Sequence, residues 1–231
     1  MASIAADRTH AAPAPHAQFR YGAVFALVLA LSVFEIVAPG RDWSRAIAVA
    51  LAGAALTVAV ATSRARGALR RQRAGVIGGA AVLLVIGIGT GILSETVADA
   101  ALALLAAGIP VALGGGLLRL IRAEGVTGQA VAGALAVYLL IGLLFASVVS
   151  FADKVGTTPY FKQGATSNGD RVYYSFTVMT TTGFGDYTPA TPAGHAVAVL
   201  EMLTGQLYLV TVIGILVGNF AGRRMKATGD E

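Results

Sequence analysis

The strongest constraint this sequence places on its fold is a series of apolar stretches, each about 18 residues or longer and almost free of charge. They run over about 21–38, 45–62, 75–93, 98–118, 128–150 and 194–220. As a helix, each can cross the ~30 Å hydrocarbon core of a bilayer. Lipid offers no hydrogen bonds to an open backbone, so such segments must be helical. Composition agrees, with 56% hydrophobic and only 13% charged residues; a soluble domain carries about a quarter charged. The expected fold class is an all-α membrane protein with six transmembrane helices.

The basic residues fix an orientation. With the N-terminus in the cytoplasm, the inner segments hold Arg8, Arg20, Arg64, Arg66, Arg70, Arg71, Arg73, Arg119, Arg122, Arg223, Arg224 and Lys226. The outer segments hold only Arg41, Arg45, Lys154, Lys162 and Arg171. Lys and Arg collect on the cytoplasmic side of membrane proteins, so both termini are expected there, in a plasma (cell inner) membrane. The basic stretch 63–73 reads as a topogenic loop in which Arg64, Arg66, Arg70, Arg71 and Arg73 contact anionic lipid; a nucleic-acid surface is the less economical reading. Residues 1–19 read as a flexible tail, without the pattern of a cleaved signal peptide.

Several chemistries are excluded or unsupported. The chain has no cysteine and three histidines, His10, His16 and His195. No phosphate-binding loop, nucleophile–base arrangement or carboxylate pair can be assembled, so an enzyme is not expected. No cofactor is implied. Gly75 with Gly79, and Gly87 with Gly91, are spaced for close helix packing in lipid, while Gly114, Gly115 and Gly116 suit packing or a kink.

Between the last two apolar stretches the sequence changes character. Residues 151–170 are polar and rich in turn formers. The segment RVYYSFTVMT that follows is too short to span, and Asp170 is placed to cap its N-terminus. The next residues, TTGFGD, must then return as non-helical backbone at membrane depth. Such backbone is tolerated only inside protein or along a hydrated path.

The segment TTTGFGDYTP, preceded by VYYSFTVM and followed by AGHAVAVLEMLTGQLYLV, resembles the pore module of tetrameric potassium channels. The resemblance covers about residues 128–220, and it implies a re-entrant pore helix and selectivity filter between the fifth and sixth helices. It divides the chain into a tail at 1–19, a four-helix domain at 20–125, a pore domain at 126–222 and a short tail at 223–231. It further implies a homotetramer with K+ as permeant ion. The carbonyls of Thr181, Thr182, Gly183 and Phe184 would ligate K+, the Thr181 hydroxyl would add the innermost ligand, and Gly183 and Gly185 would supply the unusual backbone angles. Asp186 would form an acidic ring at the outer mouth. Tyr173, Tyr174, Thr177 and Glu201 are expected to support the filter from behind. Thr182 and Phe184 stand where the family usually has Val and Tyr. Their side chains are expected to point back toward the pore helix, and Phe184 lacks one hydroxyl there.

The four preceding stretches differ from those of voltage-gated channels. Residues 98–118 contain no Lys or Arg, so gating charge is not expected. Residues 221–231 are too few for a cyclic-nucleotide domain, which leaves gating to the membrane domain, the filter or a partner. The expected function is a potassium-selective pore without intrinsic voltage sensing. The alternatives are a weakly selective cation channel, a secondary transporter or a non-conducting subunit.

Two residues of the last stretch stand out. By the resemblance Gly205 falls at a gating hinge, although close packing against the pore helix explains a glycine there equally well. Glu201 is an acid within a span and needs a partner or a proton. At 100° per residue it lies within about 40° of Gly205 and Tyr208, and well away from Gln206 and Ile213. It should therefore face the back of the pore helix near Thr177 or Thr180, where it braces the packing and its protonation tunes inactivation.

Overall fold

The computed structural model describes residues 21–39, 41–62, 67–90, 100–105, 107–110 and 125–218, with isolated positions elsewhere between 92 and 121. Its elements are α1 (Tyr21–Val37), α2 (Asp42–Thr62), α3 (Gly67–Gly89), α4 (Gly128–Val155), α5 (Asn168–Met179) and α6 (Pro192–Tyr208). Beyond Tyr208, α6 continues through a π-helical turn, Leu209–Ile213, in which Gly214 N–H reaches back to Leu209 O. Among the described residues there is no β-strand beyond a single bridge, Phe161 to Pro189.

Among the described residues, three helices are long and apolar enough to cross a membrane: Trp43–Ala61, Gly128–Val155 and Pro192–Gly218. Tyr21–Val37, Gly78–Ile88 and Ala100–Pro110 are apolar but shorter. The expectations for 1–19 and 223–231, for part of 98–118, for Gly91, Gly114, Gly115 and Gly116, and for Arg64, Arg66, Arg119 and Arg122 lie outside the described residues.

Two local expectations are corrected. The basic stretch is not a loop throughout, because Arg70, Arg71 and Arg73 already belong to α3. Arg, Ala, Leu and Gln are all good helix formers, and the run GALRRQRAG extends the apolar helix backward. Likewise α4 runs to Val155 rather than ending near 150, and Gly156 closes it with an N–H to Ala152 O of 3.0 Å. Its start is set by Thr127, whose hydroxyl accepts from Ala130 N at 3.3 Å.

The core interleaves alanines with larger aliphatic side chains, and the alanines let the helices approach closely. Val24, Val28 and Leu31 of α1 meet Ala48, Ala52 and Ala55 of α2 and Ala130 and Ala134 of α4. α2 comes close to α3 at Gly53, where an added Cβ would lie 2.5 Å from that of Ala81. Gly75 and Gly79, expected in that role, have no neighbour within 4 Å of such a Cβ. Spacing alone cannot say which face of a helix finds a partner.

α1 also reaches α5. Asn168 Nδ2 donates to Glu35 Oε2, and a Cβ on Gly169 would lie 2.5 Å from Ile36 O. The start of the short helix is thus pressed against the end of the first one.

Candidate functional site

α5 begins with a reciprocal cap. Ser167 Oγ accepts from Asp170 N at 3.1 Å, while Asp170 Oδ2 accepts from Ser167 N at 2.8 Å. The N-cap is therefore Ser167, and Asp170, expected in that place, is the third helical residue of a capping box. Beside it, Arg171 donates to Asp153 Oδ2 at 2.8 Å, to Ser150 Oγ at 3.1 Å and to Thr166 O at 3.2 Å. The helix start is thereby tied to α4.

The cap carries a pH signature. Burial raises the Asp170 carboxyl, but hydrogen bonds from Ser167 and the Tyr187 phenol, with the Arg171 charge, hold it below its ordinary value. A lowered folded-state value means this stabilisation is complete above the unfolded value and fades as pH falls through the folded one. Ser167→Ala should cost about 1 kcal/mol of stability. Asp170→Asn should flatten the acid limb of a melting-temperature profile; an unchanged profile would refute the assignment.

At its C-terminal end α5 turns directly into the polar segment. Thr180 N and Thr181 N still bond to Phe176 O and Val178 O. Thr182 N and Gly183 N both bond to Thr177 O, at 2.9 and 3.1 Å. One carbonyl therefore anchors two consecutive amides of the returning strand. Along that strand φ is positive at Thr181 (60°), Gly183 (53°) and Gly185 (79°), and at neither Thr182 nor Phe184. A β-branched residue at positive φ is a true outlier, and such strain concentrates at functional sites. In a β-strand successive carbonyls point opposite ways; left-handed residues at alternate positions turn them toward one side. Residues 180–186 are all exposed in the single chain.

The side chains around this strand fall into three groups. Phe184 is 69% exposed, and its ring lies parallel to that of Tyr173, with centroids 6.3 Å apart. The Tyr173 phenol faces the Asp186 carboxylate. Thr180 Oγ1 lies 2.9 Å from Thr182 Oγ1 and also donates to Phe176 O. Behind α5, Tyr160, Phe161, Tyr174 and Tyr187 form an edge-to-face aromatic cluster. Tyr160 pins the loop before α5 to the segment after the strand: its OH donates to Gly194 O at 3.2 Å, and its carbonyl accepts from Ala190 N at 2.8 Å.

Glu201 is fully buried, and Ser175 Oγ contacts its Oε1. The expectation that it meets Thr177 or Thr180 is corrected. Those hydroxyls are engaged within α5, by Tyr174 O and Phe176 O. The helical wheel of α6 gave the facing side, but the depth of α5 against it selects Ser175. Gly205 lies one turn further on, where an added Cβ would be 2.5 Å from both Met179 Cγ and Met179 O. Tyr138 OH donates to the same Met179 carbonyl at 3.4 Å, and Tyr208 OH donates to Ala134 O at 2.8 Å.

Sequence reasoning missed Ser167, Ser175, Tyr160 and the Glu35–Asn168 pair. Glu35 carried a usable signal, being an acid deep in an apolar stretch; the others looked like ordinary loop or helix residues.

With this geometry in view, comparison with known proteins is informative. Residues 133–221 match an ion-channel family model. Over 89 residues the chain is 35% identical to potassium voltage-gated channel subfamily A member 10 of Mus musculus and of Homo sapiens, covering 38% of this chain and 17% of theirs. It is 35% identical over the same length to subfamily A member 4 of Homo sapiens, covering 13% of that protein. The chain thus spans about a sixth or less of the curated relatives it matches. No solved structure matches it.

Proposed function

We propose that residues 126–222 form the pore of a potassium-selective ion channel and that residues 20–125 form four spans without intrinsic voltage sensing. The observation that carries this reading is the strand 181–185, with its alternating backbone handedness and its two amides held on Thr177 O. A dehydrated cation needs oxygens on all sides, and one strand offers a single file of carbonyls. Four copies around an axis complete the cage, so the functional unit is a homotetramer of cyclic symmetry. K+ then sits among the carbonyls of Thr181, Thr182, Gly183 and Phe184, with Asp186 ringing the outer mouth. The carbonyl end of α5 carries partial negative charge toward the same place.

The outer surface of α6 supports the same assembly. Only 17% of its apolar window is buried by its own chain. Leu203, Leu207 and Val210 are among the residues left uncovered, for neighbouring subunits and lipid to cover. At the other side of the membrane, Arg70, Arg71 and Arg73 at the start of α3, with Arg64 and Arg66, suit anionic lipid headgroups. Both termini lie in the cytoplasm in this arrangement.

Purified protein in liposomes should carry K+ down its gradient, exclude Na+ and be blocked by Ba2+, an ion of similar size. Its conductance should vary little with voltage, because residues 98–118 contain no basic charge to move through the field. Equal Na+ and K+ permeability would replace the reading with a weakly selective cation pore. A functional monomer or dimer by mass measurement, or coupled rather than passive flux, would reject it.

A further inference from the structure

Ser175 Oγ contacts Glu201 Oε1 on one side and lies 2.7 Å from Gly142 O of α4 on the other. A serine hydroxyl has one proton to donate, a carbonyl oxygen has none and an ionised carboxylate has none. If Glu201 were ionised, three acceptor oxygens would share one proton, and one close O···O contact would be purely repulsive. If Glu201 keeps its proton, both contacts are hydrogen bonds. The carboxyl O–H donates to Ser175 Oγ, and the Ser175 O–H donates to Gly142 O.

The surroundings favour the second arrangement independently. Glu201 is 0% exposed, and its Oε2 has no hydrogen-bond partner among the described residues. Among the described residues, the titratable groups facing it are the phenols of Tyr160, from the loop before α5, and of Tyr174, from α5 itself. Neither supplies positive charge. An unpaired charge buried in such a site is far more costly than a neutral acid with one good hydrogen bond.

We propose that Glu201 is a positioning residue held as a neutral carboxylic acid, the first donor of a relay that runs from α6 through Ser175 of α5 to Gly142 of α4. The relay fixes the short helix between the two long ones. That helix carries Thr177, whose carbonyl holds the amides of Thr182 and Gly183. The functional consequence rests on the pore reading above; the proton itself does not.

The test has a spectroscopic arm and a functional arm. Infrared spectra of the purified full chain at neutral pH, wild type minus Glu201→Gln, should contain the C=O stretch of one protonated carboxyl group per chain. A difference spectrum showing only carboxylate bands overturns the proposal whether or not the protein conducts. A wild type that shows the acid band but carries no K+ would sink the pore reading alone. In the functional arm, Glu201→Gln keeps a donor toward Ser175 and should retain tetramers and K+ flux. Glu201→Ala and Ser175→Ala break the relay and should lower flux by about tenfold or more. Tetrameric Glu201→Gln that loses flux as fully as Glu201→Ala would mean that the charge is needed and the relay is wrong.

Discussion

Gly205→Ala should lower the stability of the assembled protein and disturb ion selectivity. The new methyl would lie 2.5 Å from Met179 O and 2.5 Å from Met179 Cγ. A flexible side chain can move aside, but a backbone carbonyl at the end of α5 moves only with the helix. Overpacking of this kind costs about 1–3 kcal/mol per site. Thr180 and the strand follow Met179 directly, so the displacement passes to the carbonyls proposed above to select the ion. This reverses what a hinge implies, namely altered opening with unchanged selectivity. Helix α6 also has another place to bend, the π-helical turn at Leu209–Ile213, where the hydrogen-bond ladder is already irregular. Shortening Met179 in the Gly205→Ala background should restore only part of the loss, since the carbonyl contact remains. The decisive measurements are thermal stability of the assembled protein and the Na+/K+ permeability ratio. Normal values for both, with changed open probability, would establish the hinge instead.

A second large effect is expected at Gly183. Its φ is +53°, and an added Cβ would have no neighbour within 4 Å of its own chain. Any penalty for alanine is therefore conformational rather than steric. A left-handed L-residue costs roughly 1–2 kcal/mol, which in the four copies of the proposed tetramer amounts to about 4–8 kcal/mol per assembly. L-alanine at 183 should abolish selective K+ flux, whereas D-alanine, introduced by semisynthesis, favours positive φ and should keep it. The same contrast is expected at Gly185, at φ +79°. Equal behaviour of the two enantiomers would show that the working strand does not use these angles.

These residues also show how far the sequence could be read. The apolar lengths, the polar interruption and the glycines at 183 and 185 were visible directly, because each answers to a local rule about lipid or about φ. The facing side of Glu201 was visible too, since α6 holds one helical period from Gly194 through Gly205. What the sequence withheld was the depth of one element against another. A wheel drawn for α6 gives a direction but not the height of α5 beside it, so Thr177 and Thr180 were expected where Ser175 stands. Ser167 and Asp170 lie three residues apart, and both are good N-caps. Deciding between them requires knowing where the first helical turn closes. The Glu35–Asn168 contact joins residues 133 positions apart, which no local pattern encodes.

That separation has a consequence for how the chain is made. Ribosomes add roughly 5–20 residues per second, so Asn168 emerges about 7–27 s after Glu35. Over that interval the first helix is already made, while the side chain it binds has yet to be synthesised. Gln129, which accepts from Gly22 N, follows its own partner by 107 residues. The second helix, made next and packed along the first, is what accompanies it meanwhile. The order of synthesis thus gives the α1–α2 pair an early task, as a waiting platform on which the later half of the chain is assembled.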